Sequence, residues 1–320
     1  MLIVTRFVAA IILIGLTVPG MNLISAQTYP NKPIRILTGG VGGSGDFAAR
    51  LIAPELTANL RQPVIVDNRG GIIPIEVVAK APPDGYNLLE FGNVLWVNPL
   101  LQSVTYNPVS DFSPITTVST QPNILTVHPS LPVKSVRELI ALAKARPGEL
   151  NYASSGTGSS NHLAGELFNA MAGVNIVRVP YQSTGPAIND LLGGHVQLTF
   201  ASATNVAASI KSGRLRALAV TSAKPYALFP ELPTVAASGV PGYETVVVVG
   251  TLAPADTPAA IINVLNQEIL RVLSRPEVKE KFFNVGAEAE GSSAAQFAAR
   301  IKSEMATFGK IIRDAGIKAD

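Results

Sequence analysis

From Ile34 onward the chain alternates short apolar runs with stretches whose apolar residues recur every three or four positions. Ile34-Arg35-Ile36-Leu37 predicts a strand, and a Gly-rich turn follows it. Phe47, Leu51, Leu56 and Leu60 then keep one apolar face at helical spacing, which predicts a helix from about Asp46. Strands are predicted over residues 64–66 and 86–89, with a helix over 76–81 between them that stops at Pro82-Pro83-Asp84-Gly85. Strand–helix–strand units of this length imply parallel pairing with right-handed crossovers.

The same alternation restarts after a looser stretch over 106–114. Residues 125–127 predict a strand, and Ser135 with Glu138 forms a capping box for a helix that ends before Pro147-Gly148. A strand over 150–153 runs into Ser154-Ser155-Gly156-Thr157-Gly158-Ser159-Ser160, and a helix over 162–172 closes on Gly173. Further strands are predicted over 176–179, 196–200 and 217–220. The β-branched run Val246-Val247-Val248-Val249 predicts a strand buried on both faces. Thr257-Pro258 opens a long helix to Ser274, and Ser293 with Gln296 caps the last helix. Two α/β halves and a helical tail describe two lobes joined by crossing strands. The lack of a short fixed period excludes solenoids and propellers.

Composition supports two cored domains. The chain has 320 residues, 47% hydrophobic and 15% charged, with a formal net charge of +3. No Lys/Arg cluster is dense enough for a nucleic-acid surface, so the positive balance reads as a mild preference for anions. The absence of cysteine removes disulfides, thiolate catalysis and zinc–sulfur sites. Arg6 precedes an apolar run over 7–18, and Ser25-Ala26 stands before Gln27. This predicts a signal peptide over 1–26 and an exported, soluble mature chain, because the run is short of the ~20 residues that span a bilayer.

Two loops carry candidate chemistry. Gly40-Val41-Gly42-Gly43-Ser44-Gly45 satisfies G-x-G-x-x-G after a strand, and Asp67 ends the next strand where a dinucleotide-binding protein holds a ribose. The same glycines also let backbone N–H groups approach a carboxylate at the positive end of a helix. A bare strand-to-helix turn with Asp46 as N-cap is the plainest alternative. The second loop, over 154–160, offers serine and threonine hydroxyls and backbone amides at another helix start. One donor-rich loop per lobe could grip the two ends of a dicarboxylate across a cleft.

Catalytic patterns are thin. There is no G-x-S-x-G elbow and no H-E-x-x-H pair, and His128, His162 and His195 lack ligand spacing. His162 reads as a capping or packing residue and Trp96 as core or cleft wall. No catalytic residue, metal or cofactor is expected, which points to binding without chemistry.

Taken in order, these motifs resemble the periplasmic receptors of tripartite tricarboxylate transporters, the Bordetella-uptake-gene family. The marks include Tyr29-Pro30, the Gly42-Gly43 turn with Asp46 and Ala49-Arg50, Asn68-Arg69 and Asp84-Gly85-Tyr86. Ser154-Ser155-Gly156-Thr157-Gly158, Val179-Pro180-Tyr181, Gly185-Pro186-Ala187 and Leu191-Leu192-Gly193-Gly194 continue the series. The resemblance runs from Tyr29 to Lys318. It implies a two-lobed type II periplasmic-binding fold, each lobe a mostly parallel sheet flanked by helices, with lobe 1 over 27–122 and 248–320 and lobe 2 over 123–247. It implies capture of a small carboxylate (a di- or tricarboxylate or an aromatic acid) in the periplasm, and delivery to permease subunits by a monomeric receptor. Carried over, Gly42, Gly43 and Asp46 meet one carboxylate; Ser154, Ser155, Thr157 and Ser159 hold the other, with Thr184 and Gly185 adding a contact.

This chain departs from the family pattern at several places. The loop Gly70-Gly71-Ile72-Ile73-Pro74 is short, Ser183 replaces a glycine, Ala201 an acid and Val248 a common tryptophan. Losing the acid at 201 disfavours an amino-acid ligand. Two other readings stay open on residues alone: an NAD-dependent enzyme built on the glycines at 40–45, and a carboxylate sensor read by a signalling partner.

Overall fold

The computed structural model describes residues 29–314, so the leader expected over 1–26 lies outside the described residues. In chain order the elements are β1 (Ile34–Thr38), α1 (Ser44–Leu60), β2 (Val64–Asn68), α2 (Ile73–Ala79), β3 (Asn87–Gly92), α3 (Val94–Leu101) and β4 (Phe112–Val127). Then come α4 (Val136–Ala145), β5 (Asn151–Ser154), α5 (Ser160–Ala172), β6 (Val177–Pro180), α6 (Thr184–Leu192), β7 (Leu198–Ser202), α7 (Ala203–Lys211) and β8 (Arg216–Val220). The last described elements are β9 (Val246–Pro254), α8 (Ala259–Ser274), α9 (Pro276–Asn284), β10 (Glu288–Ala289) and α10 (Ala294–Asp314).

Each lobe has the mixed sheet that its strand–helix–strand units require. In the first, β1 lies parallel between β2 and β3, and β9 adds antiparallel to β3. In the second, β5 lies parallel between β6 and β7. One long strand, β4, joins them. From Phe112 to Pro122 it pairs with β9, and from Asn123 to Val127 it pairs with β7 and β8. The chain returns at Thr245, and the β9 pairing starts at Val246 opposite Pro122. Thr221 ties both crossings together: Asn123 N–H donates to its hydroxyl at 2.8 Å, which itself donates to the Thr245 carbonyl at 2.7 Å.

Apolar residues on both faces of each sheet make the cores. Ile36, Ile52, Leu88 and Leu265 pack on one face of the first sheet, and Leu37, Leu89, Trp96 and Phe297 on the other. Leu163 of α5, from the second lobe, belongs to that latter cluster, so the lobes touch along this side.

Three sequence expectations need correction. The stretch over 106–127 is mostly one strand of 16 residues, with Pro114 at a register shift and Pro122 at the change of partner, where prolines are tolerated. A helix, α3, occupies 94–101 despite Pro99. Val246 and Val247 are half-buried, so the run expected to be covered on both faces is covered fully only from Val248. The capping boxes hold: Ser135 Oγ accepts from Glu138 N–H at 3.2 Å and Ser293 Oγ from Gln296 N–H at 3.2 Å.

Candidate functional site

The loop after β1 is shaped by its own hydrogen bonds. Gly43 N–H donates to the Gly40 carbonyl at 3.2 Å. Gly42 has φ +83°, a conformation that glycine adopts without a Cβ penalty, and its N–H donates to Asp46 Oδ2 at 2.9 Å. Asp46 Oδ1 accepts from Arg50 Nε and Asn68 Nδ2, both at 2.8 Å. Burial opposes charge on Asp46, yet the bonds from Gly42, Asn68 and Arg50 outweigh it and hold the carboxyl below its ordinary range. Asp46 is not the N-cap. Helix α1 begins earlier, at Ser44 with Gly43 as N-cap, and Asp46 reaches back from the first turn to order the loop and complement the dipole.

In the loop after β5, four donors converge on one amide oxygen. Asn161 Oδ1 accepts from Ser155 Oγ at 3.0 Å, Ser155 N–H at 3.3 Å, Ser159 Oγ at 2.5 Å and His162 N–H at 3.0 Å. An amide oxygen has two lone pairs, so these donors are shared thinly and the hydroxyls can turn to another acceptor. Beneath them lies Arg178 of β6. Its Nε donates to Ser154 Oγ at 2.7 Å, and its guanidinium reaches Thr157 Oγ1 and the Ser155 carbonyl at 3.3 Å. Ser154 is fully buried behind the loop. Sequence reasoning missed Arg178; the available signal was a lone cation inside the strand that pairs with β5, opposite Tyr152.

The two loops face one cleft of about 880 Å³. Of the predicted residues, Gly42, Gly43, Asp46, Ser155, Thr157, Ser159, Thr184 and Gly185 line it, whereas Ser154 does not. Gln121, Ser202 and Asn205 line it too, and the sequence reading did not select them. An inner pocket of about 310 Å³ continues towards Thr38, Glu90, Phe91 and Asn93. Ala201, Ser183 and Ile72 are on the cleft wall, but Val248 is core: its neighbours Val247 and Val249 line the inner pocket instead. The exchange at 248 therefore acts on the cleft through packing.

Backbone dipoles give the cleft its polarity. Helices α1, α5, α6 and α7 all start on its wall, two of them from Gly-Ser or Ser-Ser pairs. Their N-caps, Gly43, Ser159, Ser183 and Ser202, make no side-chain capping bond. Four positive helix ends thus open on one space. Among the residues lining the larger cleft the charged ones are Asp46 and Arg50, which pair with each other at 2.8 Å. Asp67, the ribose-binding candidate, is absent from the cleft wall. It pairs with Arg35 and Arg69, whose bonds overcome burial and lower its pKa.

Comparison with known proteins places this chain in a family. The model described as "Tripartite tricarboxylate transporter family receptor" matches residues 48–317. The chain belongs to that receptor family. It is 36% identical to Protein BugT of Bordetella pertussis, over 98% of both chains. Among solved structures, Rpa4515 of R. palustris with adipate is 36% identical, with a TM-score of 0.82 over 91% of this chain and 100% of that one. MatC of Rhodopseudomonas palustris with bound malate is 25% identical, with a TM-score of 0.79 over 89% of this chain and 100% of that one. The receptor is a two-lobed solute-binding protein, and its β1–α1 glycines sit in that fold rather than in a dinucleotide-binding one.

Proposed function

We propose that this receptor captures a small organic carboxylate between its lobes and presents it to the permease subunits of a tripartite tricarboxylate transporter. The observation that carries the reading is the convergence of four helix N-termini, from both lobes and with no side-chain cap from their N-cap residues, on a cleft whose charged side chains cancel. Such a site holds an anion with backbone dipoles and hydroxyls and needs no mobile countercharge. The two relatives with adipate and malate bound support a dicarboxylate. Ala201 supplies no acid to pair with an ammonium, and the acid on the wall, Asp46, is occupied by Gly42, Arg50 and Asn68, which argues against amino acids.

In this reading Gly42 and Gly43 offer backbone N–H groups to one carboxylate. Ser155, Thr157, Ser159, Thr184 and Gly185 serve the other. Asp46 and Ser154 act one step back, holding the first loop and Arg178 respectively. The lobes divide where β4 changes partner, at Pro122/Asn123, and on the return at Thr245/Val246, two residues before the 247/248 division expected from sequence. The protein acts in the periplasm as a monomer after removal of residues 1–26, and binds without catalysis.

Replacing Ser155 and Thr157 together by alanine tests the loop assignment. Charge-assisted bonds contribute about 1.5–3 kcal/mol each, so calorimetry should show dicarboxylate affinity weakened at least about 100-fold. The circular dichroism of the variant should match the wild type. Undiminished affinity would place the carboxylate elsewhere.

A further inference from the structure

The inner pocket contains an acid that the carboxylate reading does not use. Glu90 of β3 is fully buried and lines this pocket together with Thr38. It stands in register with Thr38 of β1 and Thr251 of β9, so the three form a polar row across the sheet. Thr251 Oγ1 donates to Glu90 Oε2 at 2.5 Å, while Glu90 Oε1 and Thr38 Oγ1 are buried with no hydrogen-bond partner. The first turn of α1 rests on this row: a Cβ at Gly45 would sit 2.7 Å from Thr38 Oγ1 and 2.8 Å from the Glu90 carbonyl.

Among the described residues no cation compensates this carboxyl. On α1, Asp46 pairs with Arg50 and Glu55 with Arg275, and on β1 Arg35 pairs with Asp67. Strand β9 and helix α3 carry no charged residue. Glu76 of α2 accepts from Thr105. Glu304 of α10, also pushed up by burial, is held by Trp96, Asn93 and Arg300. Burial without a countercharge pushes the Glu90 carboxyl up to about 8, against a small opposing effect of Thr251.

We infer that Glu90 makes anion capture proton-linked: the inner pocket accepts an anionic ligand while this carboxyl is neutral and loses it when the carboxyl ionises. The inference rests on the carboxylate reading of the cleft. A bound anion beside the buried Glu90 carboxyl would repel its charged form, so it holds the proton on Glu90, and binding at high pH must take a proton up. Glu90 is thus a positioning residue that sets the charge state in which the receptor binds.

The test is calorimetry of the intact protein with adipate, or with the dicarboxylate that stabilises it most, in two buffers of different ionisation enthalpy. Proton uptake should be near zero at pH 7 and approach one per ligand at pH 9. Affinity should fall about tenfold per pH unit above pH 8. Glu90→Gln keeps the shape and a neutral hydrogen-bonding group, and should bind equally at both pH values with no uptake. If that variant fails to fold, proton uptake by the wild type decides alone. Wild-type binding that is equally tight at pH 7 and pH 9 overturns the inference and leaves the carboxylate reading intact. Uptake that persists in Glu90→Gln assigns the proton to another group, Glu304 first, and also overturns it. Failure of every dicarboxylate to bind at any pH overturns the carboxylate reading, and the linkage falls with it.

Discussion

At the scale of single residues, Glu90 also sets how stability responds to pH without any ligand. Its folded pKa of about 8 lies above the ordinary 4.5, so between those values the folded protein holds a proton that the unfolded chain releases. Stability from this group is complete below pH 4.5, falls as pH rises to about 8, and stays constant above that. At roughly 1.4 kcal/mol per unit the loss reaches several kcal/mol. Chemical denaturation from pH 5 to pH 9 should therefore show Glu90→Gln gaining on the wild type as pH rises; a gap independent of pH would show that Glu90 is ionised throughout. The sequence made the donor residues of both loops legible, because glycine, serine and threonine advertise their chemistry locally. It did not show that Asp46 spends its acceptors on Gly42, Asn68 and Arg50, or that Ser154 holds Arg178. Asn68 and Arg178 meet their partners only when separate strands pair, whereas Gly42 and Arg50 lie one helical turn from Asp46.

Among the elements, helix ends and crossing strands matter most. Apolar periodicity located α1, and capping and punctuating residues located α4, α5, α8 and α10. The sequence reading missed α3, which is nearly all apolar and holds Pro99, and it shortened β4, because Pro114, Pro122 and the run Ser119-Thr120-Gln121 look like loop. Pro114 sits beside a register shift and Pro122 where the strand changes partner, facts available only once the register is known. The crossing itself depends on Thr221, buried with its hydroxyl shared between Asn123 and Thr245. Thr221→Val keeps the shape and strands the Asn123 N–H, which should cost about 1–3 kcal/mol and lower the thermal midpoint by a few degrees. A midpoint equal to the wild type would show that the hydroxyl does not brace the crossing.

On the scale of the whole molecule, two lobes each expose helix N-termini to one shared space, and the strand crossing, the seam around Leu163, Ile311 packed on the second core and the close approach of Gly286 to Ala203 join them. The two-lobed plan was legible in the repeated α/β grammar, whereas the convergence of α1, α5, α6 and α7 on one cleft was not, since it depends on how the sheets are set against each other. On the proposed function, that convergence lets a cleft with one cancelled charge pair select anions, and a ligand touching both loops would favour the state in which they face each other. The most direct test is a thermal-shift screen of the mature chain against dicarboxylates, tricarboxylates, aromatic acids, amino acids and NADH at pH 7. A ligand at a hundred times its dissociation constant stabilises by about 2.7 kcal/mol, enough to raise the midpoint by several degrees. One class of carboxylate should raise it, with amino acids and NADH leaving it in place; a rise with NADH alone, or with no anion at all, would contradict an anion-binding cleft between the lobes.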